Sequence, residues 1–310
     1  MSILVDQNTT FIIQGITGRE AVNMTRECLN YGSKIVGGVT PGRGGRDVYG
    51  VPVYDSVREI TSRERVDGSV LTVPPAFVRD AAFEAIENGI KLMVIVTERI
   101  PRGEVAQIVE LARSQGARMI GPNCLGIISP GKSKMGGVGG PAEDTRKAYQ
   151  PGPVGVMSRS GGMTTEIANA LTAAGLGQST AISIGGDAII GSTYAELMPL
   201  FEADPETKAI VVYSEPGGPM EAQLASYVTE NNSRADARRS RRLPIVAFMA
   251  GRFMDAMPGM RFGHAGTIVE GKQDTAAEKI RRLAEAGISV AEEIADIPKL
   301  VRRALAEVGA

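Results

Sequence analysis

The sequence predicts an α/β protein built from two open, mainly parallel sheets, and three observations predict it. Short apolar runs alternate with helix-length amphipathic segments almost from end to end. The apolar runs are continuous instead of alternating, as strands covered by helices on both faces require. A polar stretch with Pro141, Pro151 and Pro153, residues 139–153, interrupts the series near its middle and marks a boundary. A length of 310 residues suits two domains, predicted here as 1–140 and 150–310.

Taken in order, Phe11–Gln14 reads as the first strand, followed by a helix over Glu20–Tyr31. Lys34–Gly37 is the second strand and Thr40–Arg46 a loop. Strands at Ser69–Val73, Leu92–Val96 and Arg118–Ile120 continue the series, with helices over Ala76–Asn88 and Gly103–Gln115 between them. In the second half the strands are Val154–Met157, Ser179–Ile184, Ala209–Tyr213, Pro244–Met249 and a weak one near Ser289–Val290. Helices fit over Gly162–Ala174, Thr193–Glu202, Met220–Val228, Thr275–Ala286 and Ile297–Val308. The segment Thr229–Arg242, with five arginines, breaks the pattern. It reads as a solvated loop or helix extension, with a basic contact surface as the alternative.

Composition excludes several function classes. The chain carries 34 basic and 35 acidic residues, a net charge of −1, so it is not built to bind nucleic acid or an anionic membrane. With no Trp, 7 Phe and 7 Tyr it has little to stack on bases. Two cysteines, Cys28 and Cys124, form no disulfide framework and point to a reducing compartment, read as the cytoplasm. The opening MSILVDQNTTFII has no basic stretch followed by a long apolar run, so a leader peptide is not expected. No apolar stretch approaches the ~20 residues of a membrane span. No metal-ligand set stands out. The 38 glycines place function in glycine-rich loops.

Those loops fall at strand ends, where open parallel sheets bind ligands. Gln14-Gly15-Ile16-Thr17-Gly18-Arg19-Glu20 joins the first strand to the first helix. A helix start offers free N–H groups and a favourable dipole for a phosphate. The spacing is not G-x-G-x-x-G, so the dinucleotide fingerprint is incomplete. Gly37-Gly38-Val39-Thr40-Pro41-Gly42-Arg43-Gly44-Gly45-Arg46 follows the second strand, where a nicotinamide site would carry an acidic residue. Two arginines stand there instead and favour a phosphorylated nucleotide such as CoA or NADP. Val73-Pro74-Pro75, Val96-Thr97-Glu98 and Gly121-Pro122-Asn123-Cys124 are further loops at that edge. Cys28 is expected to be inert packing, and Cys124 to sit at the ligand edge.

In the second half, Ser158-Arg159-Ser160-Gly161-Gly162-Met163 makes another helix start suited to an anion. Ile184-Gly185-Gly186-Asp187 adds a glycine loop on the same edge. The chain has one histidine, His264, within Arg261-Phe262-Gly263-His264-Ala265-Gly266. The flanking glycines argue for an exposed, free loop, and the imidazole could be a general base or a nucleophile toward phosphorus. Glu215, in Ser214-Glu215-Pro216-Gly217-Gly218, could fix its tautomer from another strand end, or be a solvated turn residue.

Together QGITG, VGGVTPGRGG, TERIP, GPNC, SRSGG, IGGD, ExGG and GHAG, in that order from Ser2 to about Val308, resemble the α subunit of succinyl-CoA synthetase and related ADP-forming acyl-CoA synthetases. The resemblance implies an N-terminal Rossmann-like CoA-binding domain and a C-terminal flavodoxin-like ligase domain. It implies a partner β subunit carrying an ATP-grasp site for ATP or GTP with Mg²⁺, and a small carboxylate substrate. The family reaction makes an acyl phosphate, with phosphate passing to and from a histidine while CoA takes the acyl group. By matching position, His264 would be the phosphohistidine and Glu215 its carboxylate partner. Thr17, Gly18, Arg19, Glu20, Arg43, Val96, Thr97 and Glu98 would contact CoA, with Val39, Pro74 and Asn123 lining the same edge. Ser158, Ser160, Gly161 and Gly162 would receive the phosphate.

This chain departs from the succinate enzymes at three points. Ala21 replaces a glycine, Arg43 a lysine, and Thr165 a substrate-proximal tyrosine. The SRSGGMTTE segment and the GGVGGPAEDTRKAYQPG before it are closer to ATP-citrate lyase and citryl-CoA synthetase. Losing the phenol enlarges the site, so succinate, citrate or another hydroxy acid stay open as substrates. A non-catalytic CoA sensor and an NADP-linked oxidoreductase are the rival readings. His264 with Glu215 counts against the first, and the missing G-x-G-x-x-G against the second.

Overall fold

The computed structural model describes residues 2–233, 242–307 and 309. The first sheet contains β1 (Thr10–Gln14), β2 (Lys34–Val39), β3 (Asp47–Val48), β4 (Val51–Tyr54), β5 (Gly68–Leu71), β6 (Leu92–Ile95) and β7 (Arg118–Ile120), in the order β3-β4-β2-β1-β5-β6-β7. Only the β3–β4 pair is antiparallel. With β3 set aside, the parallel strands run third, second, first, fourth, fifth, sixth, the order of a doubly wound nucleotide fold. Helices α1 (Arg19–Tyr31), α2 (Val57–Thr61), α3 (Val78–Glu87) and α4 (Arg102–Ser114) cover its faces. Phe11, Ile12, Ile13, Val70, Leu71, Met93, Val94 and Ile95 are all fully buried, which explains the continuous apolar runs. Helix α1 buries Ala21, Thr25 and Cys28, the spacing of one helical face.

The second sheet contains β8 (Gly126–Ser129), β9 (Ser133–Met135), β10 (Pro151–Ser158), β11 (Gln178–Ser183), β12 (Ala209–Ser214), β13 (Ile245–Met249) and β14 (Ser289–Ala291). Its order is β14-β13-β12-β10-β11-β8-β9. The five parallel strands β10 to β14 take the flavodoxin order, second, first, third, fourth, fifth. Helices α5 (Ala142–Ala148), α6 (Gly161–Ala173), α7 (Tyr194–Ala203), α8 (Met220–Ser233), α9 (Ala276–Glu285) and α10 (Ile297–Glu307) complete it. One apolar cluster is continuous between the sheets, from Phe11 and Val94 through Ile127 and Met135 to Ile182 and Val212. No described helix is long and apolar enough to cross a membrane.

Three features depart from the expectation. The polar stretch 139–153 holds α5 and the start of β10, and the chain changes sheets before it, between β7 and β8. The β8–β9 hairpin pairs antiparallel with β11 and belongs to the second sheet. No element is expected there from the sequence, because only Ile127 and Ile128 stand together in β8 and Lys134 interrupts the apolar pattern in β9. That lysine is fully buried, its Nζ donating to Gly140 O and to Thr145 Oγ1. The β3–β4 hairpin and α2 fill a stretch otherwise left without elements. Helix α8 runs on to Ser233; residues 234–241 of the arginine-rich segment lie outside the described residues.

Candidate active site

Both sheets offer a crevice where strand order reverses, and the selected motifs gather at these two places. In the first sheet the reversal lies between β1 and β5. A cavity of about 710 Å³ opens there, and its walls include Thr17, Gly18, Val39, Arg43, Pro74 and Phe77. Gln14 closes the floor: its Nε2 donates to Ala81 O at 2.9 Å, and its Oε1 accepts from Ser69 Oγ at 2.8 Å. Gly15 turns the chain with φ +84°, and a Cβ there would lie 3.0 Å from Thr72 Oγ1, so backbone itself forms the wall. The Thr17 and Thr40 hydroxyls meet at 3.2 Å. Asp55 Oδ1 accepts from the backbone N–H groups of Arg43 and Gly44 at 3.1 and 3.0 Å, which holds the arginine loop against the cavity. Arg19 and Glu20 are the exposed first residues of α1.

The remaining residues of this edge lead toward the second sheet. Val96 N–H donates to Leu71 O at 3.0 Å and Thr97 Oγ1 to Val73 O at 2.7 Å, carrying the strand edge onward. Asn123 is the hinge point. Its N–H donates to Thr97 O at 3.0 Å, its Nδ2 to Asp187 Oδ1 at 3.1 Å, and its O accepts from Gly186 N–H at 3.3 Å. A second cavity, about 290 Å³, lies across this junction and is walled by Glu98, Arg102, Asn123, Asp187, Gly263 and Ala265 among others. It joins the Thr97–Glu98 end of the first domain to the His264 loop.

The second reversal lies between β10 and β12. Glu215 follows β12 directly, and His264 meets it: Nδ1 lies 2.8 Å from Glu215 Oε2. A carboxylate only accepts, so Nδ1 carries a proton, and in the neutral ring Nε2 keeps its lone pair. Thr267 Oγ1 donates to the same Oε2 at 2.9 Å. The Glu215 hydrogen bond holds the imidazole above its usual pKa against the opposing effect of partial burial. Burial pushes the Glu215 carboxyl up, but the His264 hydrogen bond and the charges of His264 and Arg159 outweigh it and keep it below the usual value. The ring is not on a free, exposed loop. Its side chain is 28% exposed. Arg261 and Ile268 pair across the loop base, Gly266 N–H donates to Gly186 O at 3.0 Å, and Thr267 N–H to His264 O at 3.1 Å. Gly186 packs under the imidazole: a Cβ there would sit 2.2 Å from His264 Cγ.

The SRSGG motif is built as a helix start. Ser160 caps α6, its Oγ accepting from Met163 N–H at 3.4 Å. Ser158 is buried, and its Oγ donates to Ser160 O at 2.7 Å while accepting from Ser160 N–H at 3.1 Å. The N–H groups of Gly161 and Gly162 have no acceptor within the helix, and Gly162 faces open space. Thr165 Oγ1 lies 3.0 Å from the hydroxyl of buried Tyr149.

Sequence reasoning missed the buried charges behind this loop. Lys279 and Glu221 pair at 2.6 Å with almost no exposure. Lys279 Nζ also donates to Glu215 O at 3.1 Å and Gly217 O at 2.6 Å, fixing the backbone that carries the carboxylate. Arg159 is buried as well. A charged residue on an otherwise apolar helix face was the signal available for Lys279, but its partner lies 58 residues away. Cys124 is not at a ligand edge. It is buried against Ile95 O, and burial pushes its thiol up to about 12, so it is no nucleophile. Cys28 is likewise buried and pushed up to about 11.

Comparison with known proteins gives the two domains a class. Residues 6–99 match the CoA binding domain family, and residues 157–289 the CoA-ligase family. The molecule is thus a CoA-binding domain joined to an acid–thiol ligase domain. The succinate–CoA ligase [ADP-forming] subunit alpha 1 of Archaeoglobus fulgidus is 43% identical over 98% of this chain and 99% of that one. The malate–CoA ligase subunit alpha of Methylorubrum extorquens is 40% identical over 94% of each. The chain belongs to the family of ADP-forming CoA ligase alpha subunits. Its fold matches that of Methanosaeta concilii ATP citrate lyase, solved with (3S)-citryl-CoA, at a TM-score of 0.89 and 24% identity over 99% of this chain. The chain spans 51% of that lyase chain.

Proposed function

We propose that this chain is the α subunit of an ADP-forming carboxylate–CoA ligase that works through a phosphohistidine at His264. The observation that carries the reading is the 2.8 Å Glu215–His264 contact, which leaves Nε2 of the chain's single histidine as the free nitrogen. In the ligase direction the Nε2 lone pair attacks the γ-phosphorus of ATP, and the bond to the ADP oxygen breaks. A carboxylate oxygen of the substrate then takes the phosphoryl group, breaking the N–P bond and restoring the neutral ring. The CoA sulfur attacks the acyl carbon, phosphate leaves, and the thiol proton goes with it. Glu215 holds the ring and offsets the imidazolium-like charge during each transfer. The α6 start, with Ser160, Gly161 and Gly162, suits the phosphate group by its free N–H groups.

The 710 Å³ cavity with Arg43 suits CoA, and the junction cavity at Glu98 and Asn123 suits its reactive end. A partner β subunit carries the ATP-grasp site for ATP or GTP with Mg²⁺. The substrate is succinate, citrate or a related hydroxy acid, with Thr165 in place of a tyrosine favouring the larger acids. The chain works in the cytoplasm.

The test is labelling of the complex co-purified with its partner. Labelled ATP and Mg²⁺ should place an acid-labile, base-stable phosphate on this chain. His264→Asn should abolish the label and CoA ligation while CoA binding is kept. Glu215→Gln should slow label formation. Label that persists without His264 would overturn the mechanism.

A further inference from the structure

Arg159 lies between the two serines of the α6 start, yet its side chain belongs to the histidine site. It is 2% exposed. Its Nη2 donates to Gly186 O and to Asp187 O, both at 3.2 Å, and its Nη1 to Gly217 O at 3.5 Å. Gly266 passes so close that a Cβ there would be 2.4 Å from Nη2. The three segments that touch this one guanidinium are the three that seat His264. Gly186 packs under the ring, Gly217 follows Glu215 by two residues, and Gly266 follows His264 by two. Among the described residues Arg159 forms no salt bridge, and its buried Nε has no hydrogen-bond partner. A guanidinium that meets only carbonyl oxygens leaves its charge uncompensated at contact distance, and a buried charge acts strongly on its neighbours.

We propose that Arg159 is a positioning residue for phosphoryl transfer at His264: it ties the three loops that seat the imidazole and sets a fixed positive charge behind them. The proposal rests on the phosphohistidine reading above. Arg159 does two things at once. It keeps the ring over Gly186 within reach of Glu215. It also opposes protonation of the ring, so that Nε2 is available as a nucleophile, and it favours the anionic phosphoryl group once attached.

The charged groups around the imidazole are Glu215 after β12, Asp187 after β11 and Arg159 after β10, with the Lys279–Glu221 pair behind the Glu215 loop. Glu215 and Asp187 favour the protonated ring and Arg159 disfavours it. Removing the Arg159 charge therefore raises the imidazole pKa further. A loss of packing alone would do the opposite, since a displaced Glu215 would let the ring fall back toward its ordinary value.

Because the chain has a single histidine, its imidazole resonances can be titrated in the full chain without assignment. In Arg159→Met the His264 pKa should rise above that of the wild type, and in Arg159→Lys it should stay close to it. In the complex with the partner, Arg159→Met should form the phosphoenzyme about tenfold more slowly or worse, the loss expected for charge-assisted contacts. Its rate should climb with pH to a higher inflection, while Arg159→Lys recovers part of the rate. A His264 pKa that falls or does not move in Arg159→Met, or label formation at the wild-type rate, would overturn the role of Arg159 and leave His264 as phosphate carrier. Absence of label in the wild type would instead overturn the phosphohistidine reading, with the titration still reporting whether Arg159 seats the ring.

Discussion

The two crevices of this molecule occupy equivalent places in their sheets and differ in how deeply their charged groups are buried. At the β1/β5 reversal the walls are backbone, small hydroxyls, apolar side chains such as Val39 and Phe77, the acidic residues Asp80 and Glu84, and an exposed arginine on a glycine loop. At the β10/β12 reversal a half-buried imidazole sits on buried charges: Glu215, Arg159, Lys279 and Glu221. The first suits a large, flexible phosphorylated ligand, because many weak contacts can each be lost without collapse. The second suits a covalent step, because a nucleophile must be held to a fraction of an ångström. Binding is therefore expected to be tolerant of substitution, and phosphoryl transfer to be brittle.

The sharpest way to break that contrast is Gly186→Ala. Its methyl would sit 2.2 Å from His264 Cγ and displace the ring from Glu215. Phosphoenzyme formation should fall by about two orders of magnitude, measured as the initial rate of labelling, with CoA affinity retained. Equal effects on both measurements would mean that the two crevices are not separable.

Arg43→Ala probes the tolerant side. In the proposed CoA site it would remove one charge-assisted phosphate contact, worth about 1.5–3 kcal/mol, so the CoA dissociation constant should rise about tenfold or more. Labelling of His264 should continue at its normal rate. An unchanged dissociation constant in calorimetry would take Arg43 out of the CoA site.

Thr165→Tyr is the mildest change and sharpens the substrate question. It introduces the phenol that the resemblance to the succinate enzymes implies and removes the contact with Tyr149 at 3.0 Å. Turnover with citrate should drop more than turnover with succinate, by about tenfold or less. Equal losses with both acids would show that Thr165 does not line the substrate pocket.

Much of the architecture was legible in the chain. The continuous apolar runs marked β1, β5, β6, β10, β12 and β13 because most of each is buried on both faces, a condition that leaves its trace in composition. The glycine loops at their ends were legible for the same reason, since a strand that runs straight into a helix needs a tight turn. The two hairpins were not. Strand β3 is two residues long, β8 offers only Ile127 and Ile128 between Gly126 and Ser129, and Lys134 in β9 reads as a surface residue until its acceptors are known.

By itself the sequence determined which chemistry is available: one imidazole, one carboxylate at a strand end, arginines where a nicotinamide site would carry an acid, and glycines where backbone must approach a ligand. Only the tertiary structure decided how the histidine is held. Glu215, 49 residues away, Arg159 and Lys279 come from different strands and helices, and nothing local couples them. Their effects are electrostatic and depend on distance and burial, which the chain acquires only when β10, β11 and β12 align their ends. The same alignment overturned the two local inferences that failed. Flanking glycines suggested a free loop at His264, yet carbonyl contacts pin it. Cys124 stood next to a ligand-edge motif, yet it turns inward, where burial keeps its thiol protonated.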